Sequence, residues 1–366
     1  MKKIRNGIAI MLTVLLAFLL CSCVGNTDRA KNGVKITATD AKTEQTEEYN
    51  DAVFSMTIPK GWKVTCGGSD IYHSIRISDP DEPLNCMFVL LKADCLLHSQ
   101  EGKDAWKAVY NEGNRDAVIF ANAPVLEKPS TESFFKIFAQ YADMASKFEA
   151  AYVGYSFPHY DNFTVTDRFS GSGDMVKYSL GDEFLRATFT DNGRAGEGMF
   201  SASVVDFKES LYSDRTIADY GLESVDSGYY MAYNIVAITA AKDTFIEWED
   251  LLTECLKTLK YSDIFENNIR GAIERDFFQA RCINQNFNQT MDGIMSSWDS
   301  RNKSIDIISQ KQSDATLGYE RVYDTRTKEI YRAAKGFTSS YKGKGYKPVT
   351  DDNMYTTPIS GYIEKD

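Results

Sequence analysis

Apolar and polar positions alternate at the first structured stretch of the chain. Phe54, Met56 and Ile58 are interleaved with Ser55, Thr57 and Pro59, the period of a half-buried strand. Pro59-Lys60-Gly61 then turns the chain into a second apolar pair, Trp62 and Val64. Ile71–Ile77 and Cys86–Leu91 read as further strands, separated by the acidic turn Ser78–Pro83. A period near 3.6 predicts a short helix over Asp104–Tyr110. It predicts a longer one over Thr131–Ala151, opened by Pro129-Ser130 and carrying Phe134, Phe138, Tyr141 and Ala145 on one face. Phe163–Phe169, Asp174–Leu180, Glu183–Thr190 and Gly198–Val205 predict an antiparallel meander with Asp191-Asn192-Gly193 as one of its turns. Tyr229–Ala240 adds a strand. Asp243-Thr-Phe-Ile-Glu247 carries a capping-box pattern at the start of a helix with Phe245, Trp248, Leu252, Cys255, Leu256 and Leu259 along its apolar stripe.

The C-terminal third has a different rhythm. Ile269, Ile273, Phe277, Ala280, Ile283, Phe287, Met291, Ile294 and Trp298 recur at steps of three and four, which predicts a long helix or a helical pair. After Leu317-Gly318 the period changes to two, and Asp324-Thr-Arg-Thr327 turns Tyr319–Asp324 back into Glu329–Ala333 as a β-hairpin. Met354–Ile363 supplies a last strand. The expected fold class is α+β: an antiparallel sheet flanked by helices, plus a small helix and β-hairpin domain.

The N-terminus reads as an export signal. A basic start, Met1–Arg5, precedes the apolar h-region Ile8–Leu20, and the one apolar run long enough to span a bilayer is this N-terminal one. Leu20-Cys21-Ser22-Cys23 follows and resembles the lipobox of bacterial lipoproteins. That resemblance implies cleavage before Cys23, a diacylglycerol thioether on its sulfur, and a cell-membrane, extracytoplasmic location. Residues 1–22 are then the signal peptide. Residues 23–50, polar and poor in large apolar groups, are expected to be a flexible tether.

Phe54-x-Met-x-Ile-Pro-x-Gly-Trp62, the central sheet and the closing helix Trp248–Leu259 running into Lys260-Tyr261 resemble PsbP-like domains. Those are α/β/α sandwiches, and the resemblance implies a binding or assembly role for residues 51–262 rather than catalysis. Trp298-Asp-Ser-Arg301 together with Ser313-Asp-Ala-x-Leu-Gly318-Tyr-Glu-Arg-Val-Tyr-Asp324 resembles an uncharacterised C-terminal module of exported proteins in Gram-positive bacteria. It places a separate domain at residues 263–366.

Charge refines this division. The chain carries 41 basic and 52 acidic residues, which argues against a general nucleic-acid binder. Residues 263–366 hold 15 basic and 15 acidic groups, so the excess negative charge lies upstream. Within Glu320–Lys347, however, eight basic residues outnumber three acidic ones and are interleaved with tyrosines. This segment is the candidate ligand-binding region. Arg321, Arg326, Lys328, Arg332 and Lys335 form the expected anion-facing set, and Tyr323 and Tyr331 the stacking platforms. The competing reading is a solvated hairpin whose tyrosines bury their rings.

Candidate chemistry is sparse. The three histidines, His73, His98 and His159, lie in no recognisable motif, and HExxH, GxSxG, P-loop and GxGxxG patterns are absent. Neither a metal nor a cofactor is expected, and no catalytic residue is assigned. Ser300–Lys303 matches SxxK without an accompanying KTG. Paired carboxylates at Glu247/Glu249/Asp250, Glu223/Asp226 and Asp351/Asp352 leave a carboxylate hydrolase acting on cell wall or glycan as the alternative function. Of the exported cysteines besides Cys23, Cys66, Cys86, Cys95, Cys255 and Cys282 number five, so at least one is unpaired within a monomer. Cys86, Cys95 and Cys255 are expected to be buried small hydrophobes. The leading function is a membrane-anchored lipoprotein that binds an envelope partner: a cell-wall polyanion, a glycan or another envelope protein.

Overall fold

The computed structural model describes residues 34–38, 44–170, 183–206, 218–275 and 314–366, apart from single positions, and a few residues between 292 and 311. The signal segment with Cys23, the strand expected at Asp174–Leu180, Cys282 and the apolar helical run beyond Arg275 lie outside the described residues.

In chain order the strands are β1 (Val34–Ala38), β2 (Thr46–Asn50), β3 (Phe54–Pro59), β4 (Lys63–Gly67), β5 (Ser74–Ser78), β6 (Cys86–Leu97), β7 (Asp161–Ser170), β8 (Glu183–Asp191), β9 (Arg194–Asp206), β10 (Tyr229–Ala241), β11 (Lys260–Tyr261), β12 (Tyr319–Asp324), β13 (Ile330–Ala334), β14 (Tyr346–Pro348) and β15 (Ile359–Lys365). The helices are α1 (Gln100–Asn111), α2 (Val118–Asn122), α3 (Thr131–Phe148), α4 (Phe245–Lys257), α5 (Asp263–Arg275) and α6 (Phe337–Ser340). The fold class is α+β, as the pattern predicts.

The larger unit is built on a seven-stranded antiparallel sheet in the order β4-β5-β6-β10-β9-β8-β7. Alternation along β6 sends Phe88 and Leu90 to one face and Met87, Val89 and Leu91 to the other. Helix α3 covers the first face with Phe134, Phe135, Phe138 and Tyr141. Its start is fixed by Ser130, whose side chain accepts from the Ser133 N–H. Helix α4 covers the second face with Phe245, Trp248, Leu252 and Leu256, joined by Phe54, Met56 and Ile58 from a small sheet ordered β11-β3-β2. At the β8–β9 turn, Asn192 and Gly193 both take positive φ, as a tight hairpin requires. At the start of α4 the Thr244 side chain makes no cap hydrogen bond into the helix; its hydroxyl donates to the Ala241 carbonyl.

The second unit, described by itself, is a five-stranded sheet in the order β1-β15-β13-β12-β14, with β13 and β15 parallel and the other pairs antiparallel. Val322, Tyr331, Ala333, Phe337, Tyr346 and Ile363 form its core.

Two boundaries differ from the sequence reading. Val34–Ala38 and Thr46–Asn50, expected within a tether, are strands. β1 is held by β15, more than 300 positions away, and β2 by β3. No local pattern reports such partners. The compact units run from 41 to 317 and from 318 to 366 with the N-terminal segment, so the division does not fall at 262/263. Helix α5 belongs to the larger unit because Phe265 stacks on Tyr261 and meets the His73 ring edge-on. Ile71–Ile77, read as one strand, is a 3-10 turn at Asp70–Tyr72 followed by β5.

Candidate functional site

The β12–β13 hairpin sorts the seven expected ligand-binding residues into three places. Arg321 and Arg332 face each other across the two strands and are 5% and 2% exposed. The Arg321 guanidinium lies over the Tyr355 ring and donates to the Tyr355 carbonyl, and that of Arg332 lies over Tyr319. Both are interior groups and belong to no exposed anion-facing set. Tyr331 projects from the opposite face, into the core, with its hydroxyl donating to Glu329. It is no stacking platform for Arg321 or Arg332, because neighbouring strand residues point to opposite faces. Lys335 is exposed at the open end of the hairpin, where its backbone N–H meets the Gly318 carbonyl.

Arg326 and Lys328 remain, at the hairpin tip beside Tyr323. Asp324 builds this turn. Its carboxylate accepts from the backbone N–H groups of Arg326 (2.7 Å) and Thr327 (3.3 Å), and its carbonyl accepts from the Lys328 N–H. Burial would raise the Asp324 carboxyl, but these hydrogen bonds and the Arg326 guanidinium outweigh it and hold it below the ordinary aspartate value. Lys328 adopts φ +66°, a left-handed conformation that glycine favours, and its ammonium sits 5.2 Å above the Tyr323 ring centroid. Edge strand β14 runs beside the tip. Tyr323 is level with Lys347, the Thr325 N–H donates to the Gly345 carbonyl, and the Thr325 hydroxyl reaches the Lys344 carbonyl. Arg326, Lys328, Lys344 and Lys347 are thus exposed at one end of the sheet, against Glu329 as the exposed acid. Lys344 and Lys347 were visible in the sequence only as members of a basic run. Their placement beside the turn depends on the pairing of β14 with β12.

A second polar cluster lies in the large unit. β6 carries a bulge opposite Met231, where Asp94 and Cys95 occupy one step of β10, and Cys95 takes φ +60°. Lys92, 1% exposed, pairs at 2.8 Å with Asp94, the other charged residue of the largely apolar β6. The Tyr72 hydroxyl donates to Asp94 at 2.7 Å, and the Lys92 ammonium lies over the Tyr72 and Tyr233 rings. Glu149, at the C-terminal cap of α3, faces this group. Burial, then Asp94, push its carboxyl up to about 7, with Lys92 opposing. The end of a helix is also the unfavourable place for a negative charge. The sequence signal for this cluster was the pair Lys92 and Asp94, two apart within the apolar run Met87–Leu97.

Other charged groups are structural. Arg186 Nε donates to the fully buried Glu197 at 2.7 Å and Nη1 lies 3.4 Å from Glu249, which ties the sheet to the N-terminal half of α4. His98 stands between Asp206 and Asp226. His73 is enclosed by Phe54, Tyr261 and Phe265, and burial pushes it down to about 4 against the opposing pull of Asp51. Asp79 closes its own turn, accepting from the Asp81 N–H and the Asn85 amide. Cys86, Cys95 and Cys255 are buried free thiols and Cys66 is an exposed one. Among the described residues no helix is long and apolar enough to cross a membrane, and no group of three or more His, Cys, Asp or Glu side chains is arranged to hold a metal ion.

No protein-family model and no curated protein matches the sequence. Among solved structures, the solution structure of cyanobacterial PsbP (CyanoP) from Synechocystis sp. PCC 6803 is similar at 11% identity, covering 61% of this chain and 96% of that one, with a TM-score of 0.24. A TM-score of that size carries no argument, so the α+β description rests on strand order and helix packing.

Proposed function

We propose that this chain is an extracytoplasmic lipoprotein, joined to a membrane through diacylglycerol on Cys23, that acts by binding or assembly in the cell envelope. The observation that carries the reading is Leu20-Cys21-Ser22-Cys23 directly after a basic start and an apolar run. A single acyl-type anchor gives reversible membrane binding and a diacyl one holds firmly, so a second, weaker contact can orient the protein without being needed to retain it. Metabolic labelling with radioactive palmitate tests the anchor. The full-length chain incorporates label and fractionates with membranes, whereas Cys23→Ala does neither. Equal labelling of Cys23→Ala, or loss of label in Cys21→Ala alone, overturns it.

One observation favours a second reading, the carboxylate hydrolase. Glu149 is held near neutrality beside Asp94, and unequal environments for two carboxyls are how acid and base roles are divided. Release of soluble fragments from purified cell wall by the wild type but not by Glu149→Gln supports it. No release by either removes it.

A further inference from the structure

The exposed basic groups at the tip of the β12–β13 hairpin lie at the end of the sheet opposite to the one where the chain from Cys23 enters. β1 is antiparallel to β15, and Val34 is level with Lys365. β15 is parallel to β13, with Ile359 level with Ile330 and Ile363 level with Ala333. Val34 therefore enters at the open end of the hairpin, near the row of Lys335, and the tip lies about 20 Å further along the strands at roughly 3.3 Å per residue. The eleven residue steps between Cys23 and Val34 span at most about 40 Å. That length reaches either end of the sheet, so the tether leaves Arg326, Lys328, Lys344 and Lys347, exposed at the end away from Val34, free to meet a ligand in the envelope.

We infer that this tip is a docking surface for a linear phosphodiester polyanion of the cell envelope. The proposal rests on the lipid-anchor reading for its extracytoplasmic setting. The recognition chemistry rests on the tip alone. Three lysines and one arginine are spread over a turn and an adjacent edge strand instead of converging on one point. Such a row matches repeating charges better than a single small anion, and lysine binds phosphate as a point charge without demanding one geometry. Asp324 and Glu329, the nearby acids, are engaged: Asp324 by the turn N–H groups and by the Arg326 guanidinium at 3.6 Å, Glu329 by the Thr327 and Tyr331 hydroxyls, so the three lysines carry most of the free positive charge. Lys328 is the most telling member, since its backbone occupies a conformation suited to glycine while its ammonium rests on Tyr323.

The test uses the whole chain from residue 24 onward, free of lipid, so that failure of the anchor reading does not affect it. Three probes are compared in sedimentation at low and high salt: purified sacculi retaining their phosphodiester polymers, the same sacculi stripped of them, and vesicles rich in phosphatidylglycerol. The expected result is retention on the first probe only, reduced about tenfold or more by high salt, as release of counterions requires. Combined Arg326→Gln, Lys328→Gly, Lys344→Gln and Lys347→Gln abolishes it, while Lys335→Gln at the other end leaves it unchanged. An unchanged thermal unfolding profile for the combined variant establishes that the fold is kept, and Lys347→Gln alone gives a partial loss independent of the turn. Equal retention on stripped sacculi, preference for vesicles, or full retention of the combined variant each overturns the proposal.

Discussion

Replacing Glu149 with Gln should stabilise the protein at alkaline pH and leave it unchanged at acid pH. The carboxyl is raised from 4.5 to about 7 by burial first and by Asp94 second. A raised acid binds its proton more tightly in the folded state than in the unfolded one. Between the two values the native chain holds more protons, so stability falls as pH rises from about 4.5 to about 7 and stays low above that. The ceiling on the loss is about 3 kcal/mol, from 1.36 kcal/mol for each unit of difference. Water at the open side of the cluster lowers the expected value to about 2 kcal/mol. Glutamine keeps the shape and removes the charge next to Asp94 and the end of α3. Urea unfolding followed by tryptophan fluorescence between pH 5 and 9 measures the effect, because titrating groups not coupled to Glu149 cancel in the difference between variant and wild type. The midpoint difference should be smallest at pH 5, where the loss has begun, and grow to a plateau near pH 8 with unchanged slope. A difference that is flat with pH, or a variant less stable than wild type at pH 8, would refute this account of the cluster.

Other consequences are equally direct. Glu197→Gln should cost about 3 kcal/mol in urea unfolding because Arg186 loses its closest counter-charge in a buried site, whereas the joint change Arg186→Leu with Glu197→Leu should cost less than either single change; additive losses would contradict this. Gly198→Ala should destabilise by about 2 kcal/mol or more, since a Cβ there would lie 2.4 Å from the Ile238 carbonyl oxygen of β10; a melting temperature equal to wild type would show that the strands can separate. Asp324→Ala should release the turn at a cost of about 1–2 kcal/mol, read as faster hydrogen exchange at the Arg326 and Thr327 amides. Since Asp324 is held below its ordinary value, the turn keeps this support above about pH 4 and loses it as pH falls through the folded value.

Local chemistry was written plainly in the sequence. Alternation marked β3 and both strands of the C-terminal hairpin, turn residues bounded β8 and β9, and Ser130 and Asn192-Gly193 marked a helix start and a tight turn. Each depends on residues close together in the chain, where side-chain size, φ preference and a near hydrogen bond decide the outcome. The basic character of Glu320–Lys347 was legible for the same reason.

Which of those charges face water was a tertiary matter. Arg321 and Arg332 have the same chemistry as Arg326, yet pairing of β12 with β13 buries them against Tyr355 and Tyr319. The bulge at Asp94 and Cys95 exists only because β10 offers one residue against two. Its carboxylate neighbour Glu149 arrives from a helix end more than fifty positions away. The joining of Val34–Ala38 to the last strand likewise follows from hydrogen bonds between the two ends of the sequence. Periodicity reports which face a residue prefers. Partners distant in sequence are selected by the free energy of the whole fold, so the structure alone sorted one basic run into two interior arginines and an exposed tip.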